Sequence, residues 1–383
     1  MRVLILGNMA NDGYSVGKAM RRFDIDVSLA VNVSDFGMAL PEWEEARLSG
    51  IDPYDFSYSA IRSDWDPPDW IIYFDLCNRL PKNPYLPKKI LSRLNLFKMV
   101  RGYDVVECHN PYSLYVQFAG KPYCPYDAGW IRYICRGRDF YSRLAQRSYA
   151  RAKRVMFTNP DTEPMFSRLN GFDTSKLRFV PFAIDVDRYK PIDGGTSTHD
   201  PLLFCPSRHI WSEKGNDILI RAYSSFVREH PKSMLQLVNW GPDVQKSRDL
   251  ISKSIPHNKV EWLNPMSKPA LIEFYNKADI VLDQFVLGSW GTTTPEAMAC
   301  GKSVLMYYNE EHISRCFGSL PPLFNCPSER TLLWGMEALA DGETRARKGR
   351  EARDWVVKTH DDNMVARRHY EILRTVAEGG RNG

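Results

Sequence analysis

The chain has 383 residues, of which 43% are hydrophobic and 25% charged, and carries a net charge of +5. This length exceeds one ordinary core and predicts two domains. The basic excess is too small to point to nucleic acid, but it suits phosphate-bearing ligands or an anionic membrane surface. The eight cysteines are scattered without a C-x-x-C pair, and several sit in apolar runs such as LLFC and VVEC. Reduced, buried thiols in a cytosolic protein are expected, in place of disulfides or zinc.

The first apolar stretch, in MRVLILGN, is too short for a signal peptide and reads as a buried strand. No run approaches the roughly 20 apolar residues of a spanning helix. The expected location is cytoplasmic, with at most peripheral contact on the inner face of a membrane. Uniformly apolar runs predict strands at Val3–Leu6, Asp26–Val31, Asp104–Cys108 and Arg154–Phe157 in the first half. In the second half they predict Leu202–Cys205, Leu235–Asn239, Val260–Leu263, Ile280–Asp283 and Ser303–Met306. Alternation of such runs with helical patterns argues for an α/β fold with parallel sheets.

In chain order, the first notable loop is GNMANDGYSVGKAM, Gly7–Met20. It is not a Walker A loop, because Asp12 and Ala19 stand where Gly and Ser or Thr are needed. The stretch Leu86–Arg101 sets Lys88, Lys89, Arg93, Lys98 and Arg101 among Ile90, Leu91, Leu94, Phe97 and Val100. Such a basic helix can lie on anionic lipid, and it can equally be a surface helix with its apolar face in the core. Strand DVVEC leads into His109, followed by Tyr112, at the strand end where α/β crevices bind ligands. Asp127 lies in a loop after a further strand, where it can orient an acceptor hydroxyl or stabilise a turn. Asp185-Val186-Asp187 is a D-x-D triplet, placed away from the cluster below.

The polar stretch Pro191–Pro201 marks the domain boundary, giving domains 1–195 and 200–354. After strand LLFC, Arg208 and Lys214 precede a helix expected to begin near Asn216. Two cations beside a helix N-terminus make a diphosphate site; a solvated basic loop is the bland reading. In GSWGTTTPEAMACG, Thr294 is the expected N-cap, Pro295 the first helical residue and Gly301 the C-terminal cap. The amides of Thr292, Thr293 and Thr294 are then available to an anion. Glu296 in the first turn can accept two hydroxyl hydrogen bonds, or simply suit the helix dipole. A last amphipathic helix, 355–383, is expected to return to the first domain.

The ordered set SRHIWSEKGND, NWGPD, VEWLNPM, ADIVLDQF and GSWGTTTPEAMACGKSVL resembles retaining glycosyltransferase family 4 of the GT-B fold. In the first half, PFAIDVDRY is similar to the family's interdomain turn. The resemblance implies two Rossmann-like domains facing a central cleft. It also implies transfer of a sugar from a nucleoside diphosphate sugar to a hydroxyl acceptor, in glycan, polysaccharide or glycolipid synthesis. Arg208 and Lys214 match its diphosphate-binding cations, and Glu296 matches the second Glu of a Glu–seven residues–Glu motif that binds the donor ribose. Asn264 to Met266 match the loop whose backbone reads the base. Trp290, Gly291 and Thr292 match the loop around the sugar and its phosphates. His109 matches a His facing the transferred sugar, and Gly13 and Tyr14 lie in its first glycine-rich loop. Tyr112 and Asp127 are acceptor-side candidates. One departure is plain: the first Glu of the motif falls at Gly288.

Expected partners are the nucleotide-sugar donor, a saccharide or lipid-linked acceptor and, through Leu86–Arg101, an anionic membrane, but no nucleic acid. No metal and no further cofactor are expected. A sugar-nucleotide epimerase of the same fold and a non-catalytic nucleotide-sugar-binding subunit remain as alternatives.

Overall fold

The structure is a computed structural model that describes residues 1–54, 65–76, 86–192 and 200–378. Cys77, most of the Pro191–Pro201 boundary stretch and the Gly-Gly-Arg-Asn-Gly end lie outside the described residues. The chain divides into two compact units. The first comprises Met1–Ala46, Pro53–Ala183 and Asp362–Gly383; the second comprises Arg47–Asp52 and Ile184–Asp361.

The first unit is built on a 7-stranded sheet in the order β3-β2-β1-β4-β5-β6-β7. The strands are β1 Val3–Leu6, β2 Val27–Asn32, β3 Ile71–Phe74, β4 Val105–His109, β5 Tyr123–Asp127, β6 Val155–Phe157 and β7 Leu177–Phe179. The second unit has a 6-stranded sheet in the order β10-β9-β8-β11-β12-β13. Its strands are β8 Leu202–Cys205, β9 Met234–Val238, β10 Val260–Leu263, β11 Ile280–Leu282, β12 Ser303–Met306 and β13 Phe324–Asn325. Among the described residues every pairing between these strands is parallel. The strands read as unbroken apolar runs because helices cover both faces, as with VLIL, buried throughout.

Both sheets are Rossmann-like, and each reverses its strand order once: between β1 and β4, and between β8 and β11. Ligand crevices of open parallel sheets form at such a reversal, past the C-terminal strand ends.

Three strands escape the sequence pattern: Ile71–Phe74, Leu177–Phe179 and Phe324–Asn325, which are short and lie at sheet edges. The strand expected before Asp127 is Tyr123–Asp127, which includes Asp127 itself and carries a proline inside it. The unit boundary falls at Ala183–Ile184, upstream of the expected 195–200. The segment from Trp355 onward is two helices, Gly342–His360 and Asp362–Glu378. The helix stops because the backbone at its end pairs elsewhere: the Ile184 amide donates to the His360 carbonyl (2.8 Å) and Ile184 bridges Asp361. Only Asp362 onward therefore belongs to the first unit, where Arg22 binds the Asp362 carboxylate (2.9 Å).

Candidate functional site

In the second unit the reversal point gathers the loops after β8 and β11. Arg208 is half-buried just past β8. Gly241 lets the turn after β9 close against it, since an added Cβ would sit 2.7 Å from the His209 backbone and 2.9 Å from Arg208 Cγ. Lys214 ends the short helix Trp211–Lys214, and the helix Asn216–Glu229 begins where the sequence predicts. Gly215 between them takes the left-handed conformation (φ +67°), as a helix-terminating glycine does. Lys214 is fastened to the loop after β11 twice: its Nζ donates to Gln284 Oε1 (2.9 Å), and its carbonyl accepts the Phe285 amide (2.9 Å).

Asp283, buried at the end of β11, joins the two loops. It accepts from Ser207 Oγ (2.6 Å), beside Arg208, and from Thr294 Oγ1 (2.8 Å), in the helix Thr293–Ala299. That helix begins earlier than expected: Thr292 is the N-cap, and Pro295 is its third residue. The Thr294 hydroxyl is drawn inward to Asp283, so it is not available to cap. The first helical donor is Glu296, to the Thr292 carbonyl (3.0 Å), so the amides of Thr292, Thr293 and Thr294 precede the helical ladder. Gly301 closes the helix with φ +71°, as predicted.

Glu296 is buried and paired inside the unit. One carboxylate oxygen accepts from Lys268 Nζ and the other from Tyr275 OH (3.1 Å). Lys268 also donates to Thr292 Oγ1 (3.1 Å). Sequence reasoning passed over Lys268 and Tyr275, because nothing in SKPALIEFYNK marks a cation and a phenol as partners of a residue in another helix. Each carboxylate oxygen accepts about two hydrogen bonds, so the pairing leaves Glu296 acceptor capacity for a ligand.

Gly288 adopts φ +70°, and a Cβ there would meet the Tyr307 ring at 3.2 Å and Asn309 Cβ at 3.4 Å. Its carbonyl accepts the Asn309 amide (2.9 Å). A glutamate is therefore disfavoured by backbone and by space alike. Trp290 is buried against Phe317 (ring centroids 5.6 Å), Trp355 (6.0 Å) and His360 (6.3 Å). It anchors the loop, while Gly291 beside it faces open space. Burial pushes His360 down to about 3 and His209 down to about 4. Asn264 is exposed and Met266 buried; the segment Arg47–Asp52 runs along them, with the Gly50 amide on the Pro265 carbonyl (2.8 Å) and Ser49 bridging Met266. The triplet aspartate Asp185 accepts the Arg188 amide (3.0 Å) in a turn.

In the first unit the reversal point gathers the β1 and β4 loops. His109 is fully buried; its Nε2 lies 3.0 Å from Glu107 Oε1, and its Nδ1 accepts the Met9 amide (3.3 Å). Both ring nitrogens are thus engaged within the unit. His369, from the last helix, meets the other Glu107 oxygen at 3.0 Å. Burial alone would raise Glu107, but His369 and His109 hold it down to about 2. Tyr14 stacks on Trp70 (5.6 Å) and donates to Glu45 (2.9 Å), and Tyr112 donates to Asp35 (2.6 Å). Gly13 lies where a Cβ would be 2.9 Å from the Gly7 carbonyl oxygen. Asp127 is the last residue of β5, not a loop residue as the sequence suggests. It accepts from the amides of Gly129 (2.7 Å) and Ile131 (3.0 Å), from Tyr149 OH (2.7 Å) and from Asn110 (3.2 Å). These bonds tie it to the following loop. The structure thus brings together Arg208, Lys214, Thr292–Thr294 and Glu296, whereas Tyr14, Tyr112 and Asp127 are held by neighbours in the first unit.

Residues 193–355 match the family model described as "Glycosyl transferases group 1". This stretch is similar to the group 1 glycosyl transferases. It holds every second-unit residue discussed above except the Arg47–Asp52 segment and a short stretch on either side of the match. A relative, D-inositol 3-phosphate glycosyltransferase of Nocardia farcinica, is 28% identical over 170 residues. The match covers 41% of this chain and 38% of that protein, so the chain spans well under half of its length. Among solved structures, Anabaena Alr3699/HepE in complex with UDP-glucose is similar with a TM-score of 0.72 at 15% identity, covering 98% of this chain and all (100%) of that one. Sucrose-phosphate synthase of Thermosynechococcus elongatus has a TM-score of 0.70 at 13% identity, covering 99% of this chain and 100% of that chain. The fold is that of the GT-B glycosyltransferases.

Proposed function

We propose that the protein is a retaining, metal-independent glycosyltransferase that moves a sugar from a nucleoside diphosphate sugar to a hydroxyl on a saccharide or lipid-linked acceptor. The observation that carries this reading is the linked pair of loops after β8 and β11, joined by Lys214–Gln284 and by Ser207–Asp283–Thr294. These bonds hold Lys214, and Ser207 next to Arg208, in the loops that meet the start of a helix at a sheet reversal. Negative charge grows on the leaving diphosphate as the glycosidic bond breaks; Arg208, Lys214 and the amides of Thr292–Thr294 are the groups that would stabilise it. Glu296, held in place by Lys268 and Tyr275, would accept two ribose hydroxyls. The exposed Asn264 and the backbone to Met266 would meet the base.

Support comes from HepE, whose solved complex holds UDP-glucose, and from the relative named as an inositol phosphate glycosyltransferase. No helix among the described residues is long and apolar enough to cross a membrane. The helix Leu86–Arg101 exposes Ile90, Leu91 and Leu94 beside Lys88 and Lys98, and we assign it a peripheral contact with an anionic membrane on the cytoplasmic side. A thermal-shift screen of nucleoside diphosphate sugars tests the donor reading. A ligand present at about 100 times its Kd adds roughly 2.7 kcal/mol, and the reading expects at least one such shift, followed by product formation only when an acceptor is supplied. Product without acceptor would favour an epimerase, and no shift with any donor would reject the reading.

A further inference from the structure

Between Arg132 and Arg154 the chain carries eight Arg or Lys residues and a single acid, Asp139. Asp139 is spent locally, capping the helix Phe140–Arg151 through the Ser142 amide (3.0 Å). Within the same stretch Tyr133, Phe140 and Tyr141 are 65%, 73% and 66% exposed. Large aromatic side chains are normally withdrawn from water, so three exposed together mark a surface that meets something. Phe140 and Tyr141 stand edge to face with ring centroids 5.8 Å apart. Arg136, Arg138 and Arg143 are exposed around them and, among the described residues, have no acidic partner.

The ground beneath this patch is firmly held. Ser148 Oγ meets Ser113 Oγ (2.9 Å), and Gln146 donates to the Ile134 carbonyl (2.7 Å), so the helices Ser113–Val116, Ile131–Ile134 and Phe140–Arg151 are tied together. The Arg93 guanidinium lies 5.7 Å from the Tyr115 ring centroid, joining the helix Leu86–Arg101 to the same group. Phe118, 52% exposed, follows Ser113–Val116. The same group of helices also exposes the aliphatic Ile90, Leu91 and Leu94.

We propose that the Tyr133–Arg147 surface docks on an anionic lipid bilayer, its aromatic rings seated at headgroup depth and its arginines on lipid phosphates. This extends the membrane contact assigned to Leu86–Arg101 and rests on that reading. Amphipathic rings favour the water–lipid boundary, and each basic residue close to an anionic surface adds to its attraction. A second copy of the chain is the wrong occupant, because it would set these cations against one another. Sugars and nucleic acids offer nothing to exposed Ile90, Leu91 and Leu94, whereas acyl chains do.

The test is flotation of the full chain with vesicles of phosphatidylcholine alone and of phosphatidylcholine mixed with phosphatidylglycerol. Wild type binds the anionic vesicles, loses binding in high salt and ignores the neutral ones. Removing one arginine lowers the partition coefficient about fivefold, the equivalent of about 1 kcal/mol. The triple variant R136S/R138S/R143S loses on the order of a hundredfold, and F140S/Y141S loses at least several-fold at unchanged charge. R136K/R138K/R143K retains binding, because a bilayer reads charge and not fork geometry. Circular dichroism verifies that each variant is folded. If K88S/K89S/R93S abolishes binding while the serine and aromatic variants do not, the Leu86–Arg101 contact stands and this surface is rejected. If wild type does not bind anionic vesicles at all, both membrane contacts fall, while the donor reading is untouched. If single-stranded RNA or a sulfated glycan binds and excludes vesicles more strongly than the vesicles bind, the surface serves a soluble polyanion and the proposal is overturned.

Discussion

At the scale of single residues, the most consequential pair is Lys268 and Glu296, each almost wholly buried. A charge buried without its partner is costly, and breaking such a pair by removing one member commonly costs about 3–5 kcal/mol. Lys268→Met should therefore lower the unfolding free energy by that order. Combining it with Glu296→Gln should recover part of the loss, since the stranded carboxylate is gone; equilibrium denaturation of the two single variants and the double variant measures this. Additive losses would mean that the two side chains do not act as a pair. Glu296→Gln alone should weaken donor binding by about 10- to 150-fold, the equivalent of about 1.5–3 kcal/mol for a hydrogen bond to a charged group. The sequence shows Glu296 as a candidate through its place in the first turn of a capped helix. It does not show Lys268, because a lysine one residue before a proline looks like an exposed helix start. The position of Gly288 is legible only as a missing carboxylate; the structure adds that φ +70° and the Tyr307 ring favour glycine there.

At the scale of elements, the last helix is held to the first unit by a buried charge network that no local pattern announces. Glu107 and His369 are 262 residues apart in sequence, and both are 0% exposed. His369 is held above its ordinary value: burial would lower it, but Glu107 and Asp12 outweigh that. Glu107, held to about 2, contributes stability above its unfolded value near 4.5, and this is lost as pH falls toward 2. His369 contributes stability below its unfolded value of 6.5, and this is lost as pH rises through its raised folded value. Wild type should thus exceed Glu107→Gln in stability most between about pH 4.5 and 6.5, with the gap closing on either side. Thermal unfolding of both proteins across pH checks this, and a gap independent of pH would remove the ion pair from the account. Strand elements were the most readable part of the chain: Val3–Leu6, Leu202–Cys205, Val260–Leu263 and Ser303–Met306 have the predicted bounds. The unread strands are edge strands, where the apolar run is short. The final helix is misread as continuous because its interruption comes from the pairing of Ile184 with the backbone at His360–Asp361, a contact that helical periodicity cannot reveal.

At the scale of the whole molecule, the two parallel sheets were legible because strand–helix alternation recurs throughout the chain. The unit boundary was less so, since a polar stretch marks a change of composition, not where packing changes sides. The proposed chemistry relies on fixed cations and backbone amides in place of a metal. Transfer should survive full chelation, and inhibition by EDTA that magnesium or manganese reverses would instead promote Asp185 and Asp187.

The central claim is that Arg208 and Lys214 hold a nucleoside diphosphate at the reversal point of the second sheet. Calorimetric titration of UDP, GDP and ADP into wild type, Arg208→Ala and Lys214→Ala tests it most directly. The account predicts that at least one nucleotide binds wild type and that each variant binds it at least about tenfold more weakly, as expected for the loss of a charge-assisted hydrogen bond. Equal affinity in wild type and both variants, or no binding of any of the three nucleotides to wild type, would contradict it.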